Sequence, residues 1–300
     1  MSWSLAIHGG AGLVRRDSLG PDEIRTAEAG LNAALDAGVR VLGSGGTALD
    51  AVTEAIVVLE EWPCFNAGRG AVLAEHGGVE LDAALMDGGR RVGAVTGVRS
   101  TRNPVRLARE VLEDGHHVML AGPGTDRWAR LRGLEQVDPA WFVTTARSEQ
   151  LARVGGSGGV YLDHDDVTGT VGAVARDVHG GLAAGNSTGG MVNKRQGRVG
   201  DSPVIGGGTF AWNRTCAVAA TGHGEPFVRA CAAHRISDLI ELAGLSLADA
   251  ADRVLAEVRE LGGTGGVIAV DAQGTLVTPF DSGGMYRGTA RPGERHVAIW

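Results

Sequence analysis

Gly169-Thr170 opens the apolar, β-branched run Val171 to Val174, directly after a small polar segment. A cut before Thr170 would leave one residue carrying a free α-amine beside its own hydroxyl, so that nucleophile and base would share a residue. Thr188 and Thr221 also fall at the ends of predicted apolar strands, where adjacent strands bring side chains together. A lone threonine in such a place is more often a β-former that satisfies a turn. Here, however, Ser187-Thr188-Gly189-Gly190, Gly197-Arg198-Val199-Gly200-Asp201-Ser202-Pro203 and Thr221-Gly222-His223-Gly224-Glu225 follow in one half of the chain. Each joins polar groups to glycines that let a ligand reach the backbone.

Other chemistries fit less well. Gly155-Gly156-Ser157-Gly158-Gly159 and Gly185-Asn186-Ser187-Thr188-Gly189 both spell G-x-S-x-G. The serine-hydrolase elbow needs a strand before the serine and a helix after it. The first candidate has neither, and the second runs into Met191-Val192-Asn193-Lys194 without helical period. Lys194 is the only lysine, and its surroundings match neither a P-loop nor a pyridoxal site. His116 and His117 are neighbours on a predicted strand and point to opposite faces, so they do not readily chelate one ion. The three cysteines, Cys64, Cys216 and Cys231, lack any C-x-x-C spacing and read as reduced thiols.

Composition narrows the class further. Three hundred residues, 43% hydrophobic, can bury a core without covalent staples, and 49 glycines without a Gly-X-Y period exclude collagen. A net charge of -7 argues against nucleic acid or an anionic membrane as partner. No run of 18 apolar residues and no signal-like first segment occur, so a soluble, cytoplasmic protein acting on a small polar molecule is expected.

The elements that must carry these residues can be read from period and caps. A strand over 3–7 leads into His8-Gly9-Gly10-Ala11-Gly12, read as a turn. Helices follow from Pro21 and from the Thr47/Asp50 capping pair, the second stopping at Trp62-Pro63. Cys64 to Gly70 is a loop, before strands at 71–73, 79–86 and 92–98, a helix over 104–113 and a buried strand over 117–120. A short helix over 124–131 and an extended piece over 142–145 precede a linker over 154–159 and the acidic run 163–166. The second half predicts strands at 170–178, 182–187 and 215–221, helices over 226–242 and 247–261, and strands at 267–270, 276–280 and 296–300. Strands and helices in blocks point to an α+β arrangement with antiparallel sheets and helices outside.

The motifs His8 to Gly12, Phe65-Asn66-Ala67-Gly68, Gly169 to Val174, Ser187 to Gly190, Gly197 to Pro203 and Thr221 to Glu225 together resemble the plant-type L-asparaginase/isoaspartyl peptidase family of N-terminal-nucleophile hydrolases. The resemblance spans essentially the whole chain in the family's order. It implies a four-layer αββα sandwich, one domain over residues 1–300 built from an α subunit (1–169) and a β subunit (170–300) after self-cleavage between Gly169 and Thr170, and pairing of αβ units into a homodimer. Carried over residue by residue, Thr170 is the nucleophile and Thr188 holds its hydroxyl. Thr221 and Gly222 form the oxyanion hole, and Asn66 positions the water and the nucleophile. Arg198 clamps the substrate α-carboxylate, while Asp201 and Gly224 take its α-ammonium. The loop from Leu59 to Gly70 is similar to the family's sodium loop, implying a structural Na⁺ on backbone carbonyls of Leu59, Glu60 and Phe65, with no cofactor needed for the chemistry. The implied substrates are L-asparagine and β-aspartyl dipeptides.

Three departures stand out: Asn186 where many relatives carry threonine, His223 at a variable place, and a shorter linker before Thr170. Two alternatives remain. The chain could stay uncleaved as a binding or scaffold protein of the same fold, or act like a glycosylasparaginase or threonine-aspartase, although those carry Asp where Gly169 stands.

Overall fold

The computed structural model describes residues 2–12, 14, 19–155 and 169–300, and the architecture is mixed α+β. β1 (Ser4–Gly12) precedes α1 (Pro21–Gly43) and α2 (Ala48–Glu61); β2 (Leu81–Asp87) and β3 (Val92–Val98) lead to α3 (Pro104–Asp114), β4 (Met119–Ala121), α4 (Pro123–Leu131) and α5 (Thr145–Gly155). Next come β5 (Val171–Arg176), β6 (Leu182–Thr188), β7 (Thr209–Ala211) and β8 (Cys216–Gly222), then α6 (Gly224–Ala230), α7 (Ala232–Ala243) and α8 (Leu247–Glu260). β9 (Gly265–Asp271), β10 (Leu276–Val277), β11 (Gly284–Arg291) and β12 (Glu294–Ala298) follow.

The two capped helices α2 and α8 start where the sequence predicts. Thr47 Oγ accepts from the Asp50 N–H at 3.1 Å, and Ser246 does the same for Asp249 at 3.1 Å, so each cap satisfies one orphan donor. The strands form an eight-stranded sheet in the order β12-β11-β1-β5-β6-β2-β3-β4 and a four-stranded sheet in the order β10-β9-β8-β7. Every named pair is antiparallel except β3 with β4. Alternation along the central strands divides the core. Leu5, Ile7, Ala173 and Ala175 pack with Leu31, Leu35, Val52 and Ile56 of α1 and α2. Ala6, Val174 and Ala184 turn the other way onto Val218 and Ile268 of the smaller sheet, which joins Ile236 and Val254 of α7 and α8. Each fully buried Leu, Ile or Val among these contributes about 1.5–3 kcal/mol on leaving water.

Several elements differ from the sequence reading. The His8 to Gly12 segment is strand rather than turn: β1 continues to Gly12 opposite Gly284, with a register shift between His8 and Gly10. Residues 71–73 are not strand, and the next strand begins at Leu81. The segment expected as a buried strand over 117–120 supplies β4, the sheet's edge, with Val118 64% exposed. The piece over 142–145 ends a 3₁₀ turn and begins α5, which takes in Val154; the rest of the linker, 156–159, and the acidic run 163–166 lie outside the described residues. The long helix expected over 226–242 is two helices, because Cys231 adopts φ 49° and ψ 44° between α6 and α7. β7 and β11 have no counterpart in the sequence reading.

Glu60, in the last turn of α2, knits three elements together. Its Oε1 accepts from Ser187 Oγ of β6 at 2.6 Å and from the Val105 N–H at the start of α3 at 2.9 Å. Oε2 is buried without a partner. Both donors favour the carboxylate, yet complete burial outweighs them and pushes Glu60 up to about 7. A folded-state value above the usual carboxylate range means that folding takes up a proton, so stability is gained as pH falls from about 7 toward the unfolded value near 4.5. Glu60→Gln, which keeps an acceptor and cannot ionise, should therefore gain Tm relative to wild type as pH rises from 5 to about 7, with the difference level at higher pH. A difference that stays flat or narrows across that rise would contradict the buried, protonated assignment.

Candidate active site

β5 lies between β1 and β6 at the centre of the large sheet, and Thr170 immediately precedes it, 7% exposed. Its Oγ donates to Thr188 Oγ at 3.1 Å and sits 2.9 Å from Ser202 Oγ. Since Thr170 has one hydroxyl proton and gives it to Thr188, Ser202 is the donor in the second contact. Thr188 Oγ also accepts the Gly190 N–H at 2.9 Å. The nucleophile candidate is thus oriented by hydroxyls. The only histidine hydrogen-bonded to Thr170 among the described residues is His8, and its Nδ1 donates to the Thr170 carbonyl at 2.9 Å, not to the hydroxyl. Burial lowers His8 to about 4, so the ring is neutral with its proton on Nδ1.

Backbone crowding shapes the other side of this residue. A Cβ on Gly169 would stand 2.6 Å from Thr221 Oγ and 2.5 Å from the Ala11 nitrogen. Any larger residue would have to leave that position. Thr221 is fully buried and its Oγ accepts the Ala11 N–H at 3.1 Å, which leaves its hydroxyl proton to donate elsewhere. Gly222, with φ 142°, turns the chain against Thr264 at the end of β8, a conformation that side chains rarely adopt. The structure therefore brings Thr170, Thr188 and Thr221 together with Gly169 and Gly222.

Asn66, expected to help position the water and the nucleophile, makes its hydrogen bonds to the neighbouring main chain. Its Nδ2 donates to the Gly190 carbonyl at 2.7 Å and its Oδ1 accepts the Val72 N–H at 2.9 Å. It acts on Thr188 through the Gly190 turn. Asn186, the departure noted in the sequence, is buried beneath the same strand pair and donates to the Gly208 carbonyl at 2.9 Å and to Thr209 Oγ at 2.8 Å. Thr209 Oγ in turn donates to the Ser202 carbonyl at 2.9 Å. Asn186 thereby holds the loop that presents Ser202.

Charge is concentrated beside this hydroxyl cluster. Asp201 is 3% exposed, its Oδ2 has no hydrogen-bond partner, and burial pushes it up to about 6 despite Arg198 nearby. Gly224 backs it so closely that a Cβ there would lie 2.9 Å from Asp201 Oδ1. Arg198 makes a two-pronged pair with Glu225, Nε to Oε1 at 3.0 Å and Nη2 to Oε2 at 2.8 Å. His223 Nε2 stands 3.4 Å from the same Oε2, and His223 and Arg198 together hold Glu225 well below the usual carboxylate range. An arginine fork already matched to a carboxylate and an orphan buried carboxylate, side by side, suit the two charged ends of an α-amino acid.

The sequence model of the asparaginase family (Asparaginase_2) matches residues 1–299. The chain belongs to the asparaginase family. It is 48% identical over 300 residues to the isoaspartyl peptidase of Escherichia coli (strain K12), covering 97% of this chain and 93% of that protein. The isoaspartyl peptidase/L-asparaginase of Danio rerio is 38% identical, covering 99% of this chain and 94% of its own length. That of Mus musculus is 37% identical, covering 100% and 91%. As an asparaginase-family hydrolase, the chain places its polar cluster at one end of the central strands β5, β6 and β8. Ser202, Glu225 and His8 were not assigned a role from sequence. Ser202 and Glu225 lie inside motifs that were singled out, but their contacts depend on loop register rather than on letters.

Asp201 supplies a pH test of this site. Its folded value near 6 means that the anionic acceptor is lost as pH falls through about 6. Binding of L-aspartate, measured by titration calorimetry between pH 5 and pH 8, should weaken below about pH 6 in the wild type. Asp201→Asn should bind weakly at every pH. Equal affinity of wild type and variant at pH 8 would remove Asp201 from ligand recognition.

Proposed function

We propose that the chain is a threonine-nucleophile amidohydrolase of the N-terminal-nucleophile type, which cleaves itself between Gly169 and Thr170 and then hydrolyses L-asparagine and β-aspartyl dipeptides. The observation that carries this reading is the Thr170 hydroxyl, held between Thr188 and Ser202, with Gly169 pressed against Thr221. The names of the relatives agree with the substrates, and the helix-covered pair of sheets agrees with a four-layer αββα sandwich.

In the self-cleavage, Thr170 Oγ attacks the Gly169 carbonyl carbon, its hydroxyl proton passes to the amide nitrogen, which leaves as the new α-amine, and the resulting ester is hydrolysed by water. The products are an α subunit, 1–169, and a β subunit, 170–300. The freed amine has a reference pKa of about 7.7–8.0 and takes the Thr170 hydroxyl proton as the oxygen attacks the substrate amide. Thr221 Oγ–H and the Gly222 N–H receive the oxyanion, where one donor is commonly worth about 10²–10³ in rate. The tetrahedral intermediate collapses with the proton passing to the leaving amine, ammonia or an amino acid. Water then cleaves the aspartyl ester on Thr170. Arg198 holds the α-carboxylate, sharing or exchanging Glu225 for it, and Asp201 with Gly224 holds the α-ammonium. This reads only the aspartyl part, so the leaving group is free to vary.

The sodium loop fits a carbonyl-bound cation. Gly68, at φ 48°, and Gly70 approach so closely that a Cβ would come within 2.4 Å of the Glu60 carbonyl oxygen and 2.1 Å of that of Phe65. Oxygen ligands of this kind suit a hard cation. The Leu59 carbonyl accepts the Trp62 N–H at 3.3 Å and would complete the set with a second lone pair. Na⁺ there would brace the loop that carries Asn66. We also infer a homodimer of αβ units.

Two measurements test the reading. Denaturing electrophoresis of the 30.8 kDa chain should show bands at roughly 17 and 13 kDa, and Thr170→Ala should leave one full-length band and no hydrolysis. A single persistent band from wild type would favour an uncleaved scaffold. Arg198→Ala should mature normally but raise KM for both substrates by about 10²-fold, as expected when a buried charged partner is lost; unchanged KM would remove the clamp.

A further inference from the structure

Lys194 is the only lysine in the chain and is 1% exposed, among the largest fully buried side chains. Nothing in the hydrolytic steps above uses it. Burying an ammonium is strongly unfavourable unless it is hydrogen-bonded and matched by anions. Its Nζ donates to the Glu80 carbonyl at 2.6 Å, and the carboxyl groups of Asp82 and Glu80 favour its charged form. Burial and the like charge of Arg198 both act against its protonated form.

The surroundings of this ammonium converge on the catalytic side. A Cβ on Gly190 would lie 2.9 Å from Lys194 Nζ and 3.4 Å from Arg198 Nη1, so two cations flank one glycine. The Gly190 N–H donates to Thr188 Oγ at 2.9 Å. Asp82 is the cross-strand partner of Thr188 on β2. Glu80 Oε2 accepts the Gly197 N–H at 2.8 Å, one residue before Arg198, while Arg99 pairs with Oε1 at 2.5 Å. At its other end the loop is pinned through the main chain, where the Lys194 carbonyl accepts the Glu75 N–H at 2.9 Å.

We propose that Lys194 is a positioning residue for hydrolysis, tying the 190–198 loop onto Glu80 and Asp82 and so setting both Gly190, which holds Thr188, and Arg198, which holds the substrate carboxylate. This rests on the amidohydrolase reading. One buried charge then aligns the nucleophile's hydroxyl partner and the recognition clamp together, although it touches neither substrate nor Thr170.

The test compares Lys194→Met, which keeps volume and removes charge, with Lys194→Met/Asp82→Asn, which also removes the stranded anion. A third variant, Ser237→Ala, breaks a buried hydroxyl pair with Thr215, at 2.7 Å, remote from the site. For Lys194→Met, kcat on β-aspartyl-leucine should fall by about 10²-fold, the scale expected from displacements near 1 Å, and KM should rise as Arg198 shifts. The double variant should regain Tm without regaining kcat or KM, and Ser237→Ala should lose Tm while keeping both. If Lys194→Met does not fold, the double variant carries the same comparison. Kinetics within about twofold of wild type, or recovery of activity in step with Tm in the double variant, would overturn the proposal and leave the amidohydrolase reading standing. A wild type that hydrolyses neither substrate would overturn both.

Discussion

Three hydroxyls in line, Ser202, Thr170 and Thr188, set the terms for the rest of the molecule. A hydroxyl donating to one neighbour and accepting from another is aligned but not activated, because neither partner can take its proton near neutral pH. His8, the histidine placed to help, is neutral and committed to the Thr170 carbonyl. For attack on a separate substrate the α-amine of Thr170, once freed, would be the base, whereas in the continuous chain the hydroxyl proton would pass to the departing Thr170 nitrogen. The same constraint explains the backbone at this point. Gly10, at φ 118°, and Gly169 approach so closely that a Cβ on either would meet the other's main chain at 2.7 Å, which puts the bond before Thr170 beside Thr221.

Around that line the charges are graded by burial. Glu225, half-exposed and paired with Arg198 and His223, remains anionic, whereas Asp201, buried and missing a partner for Oδ2, resists ionisation. An incoming ammonium would reverse the second situation by supplying the partner that burial denies, and an incoming carboxylate would take over a fork already shaped for one. Recognition and desolvation are therefore coupled: the site is least comfortable where the ligand is most needed.

The residues of the polar cluster are easier to read from the sequence than the connections between elements. Thr170, Thr188, Thr221, Arg198 and Asp201 could be picked out because each sits in a motif with glycines, and their meeting follows from strands β5, β6 and β8 ending on the same side. The Ser202 contact could not, since it depends on Asn186 of β6 reaching Thr209 and on Thr209 in turn holding the Ser202 carbonyl. Asn66 stands in a recognisable motif, but its hydrogen bond goes to Gly190, a contact that only folding defines. Among the elements, the break at Cys231 was hidden because apolar spacing continues across it while one residue turns left-handed. β4 was misread as buried because a short apolar run looks the same at an edge as in a core.

Strand order also bears on what a cut before Thr170 would do. Reading across the large sheet, β12 and β11 come from the later segment, β1 from the earlier, β5 and β6 from the later, and β2, β3 and β4 from the earlier. The two segments exchange ladder hydrogen bonds at three seams, β11 with β1, β1 with β5, and β6 with β2. Severing one peptide bond would open none of them. The cut would instead free a single backbone end at the head of β5, where His8 of β1 still holds the Thr170 carbonyl and Thr188 of β6 still holds its hydroxyl. A new α-amine would thus appear at a place whose neighbours are fixed by both segments. Interleaving of this kind would let the chain lose covalent continuity before Thr170 while the strands on either side keep that residue's contacts in place.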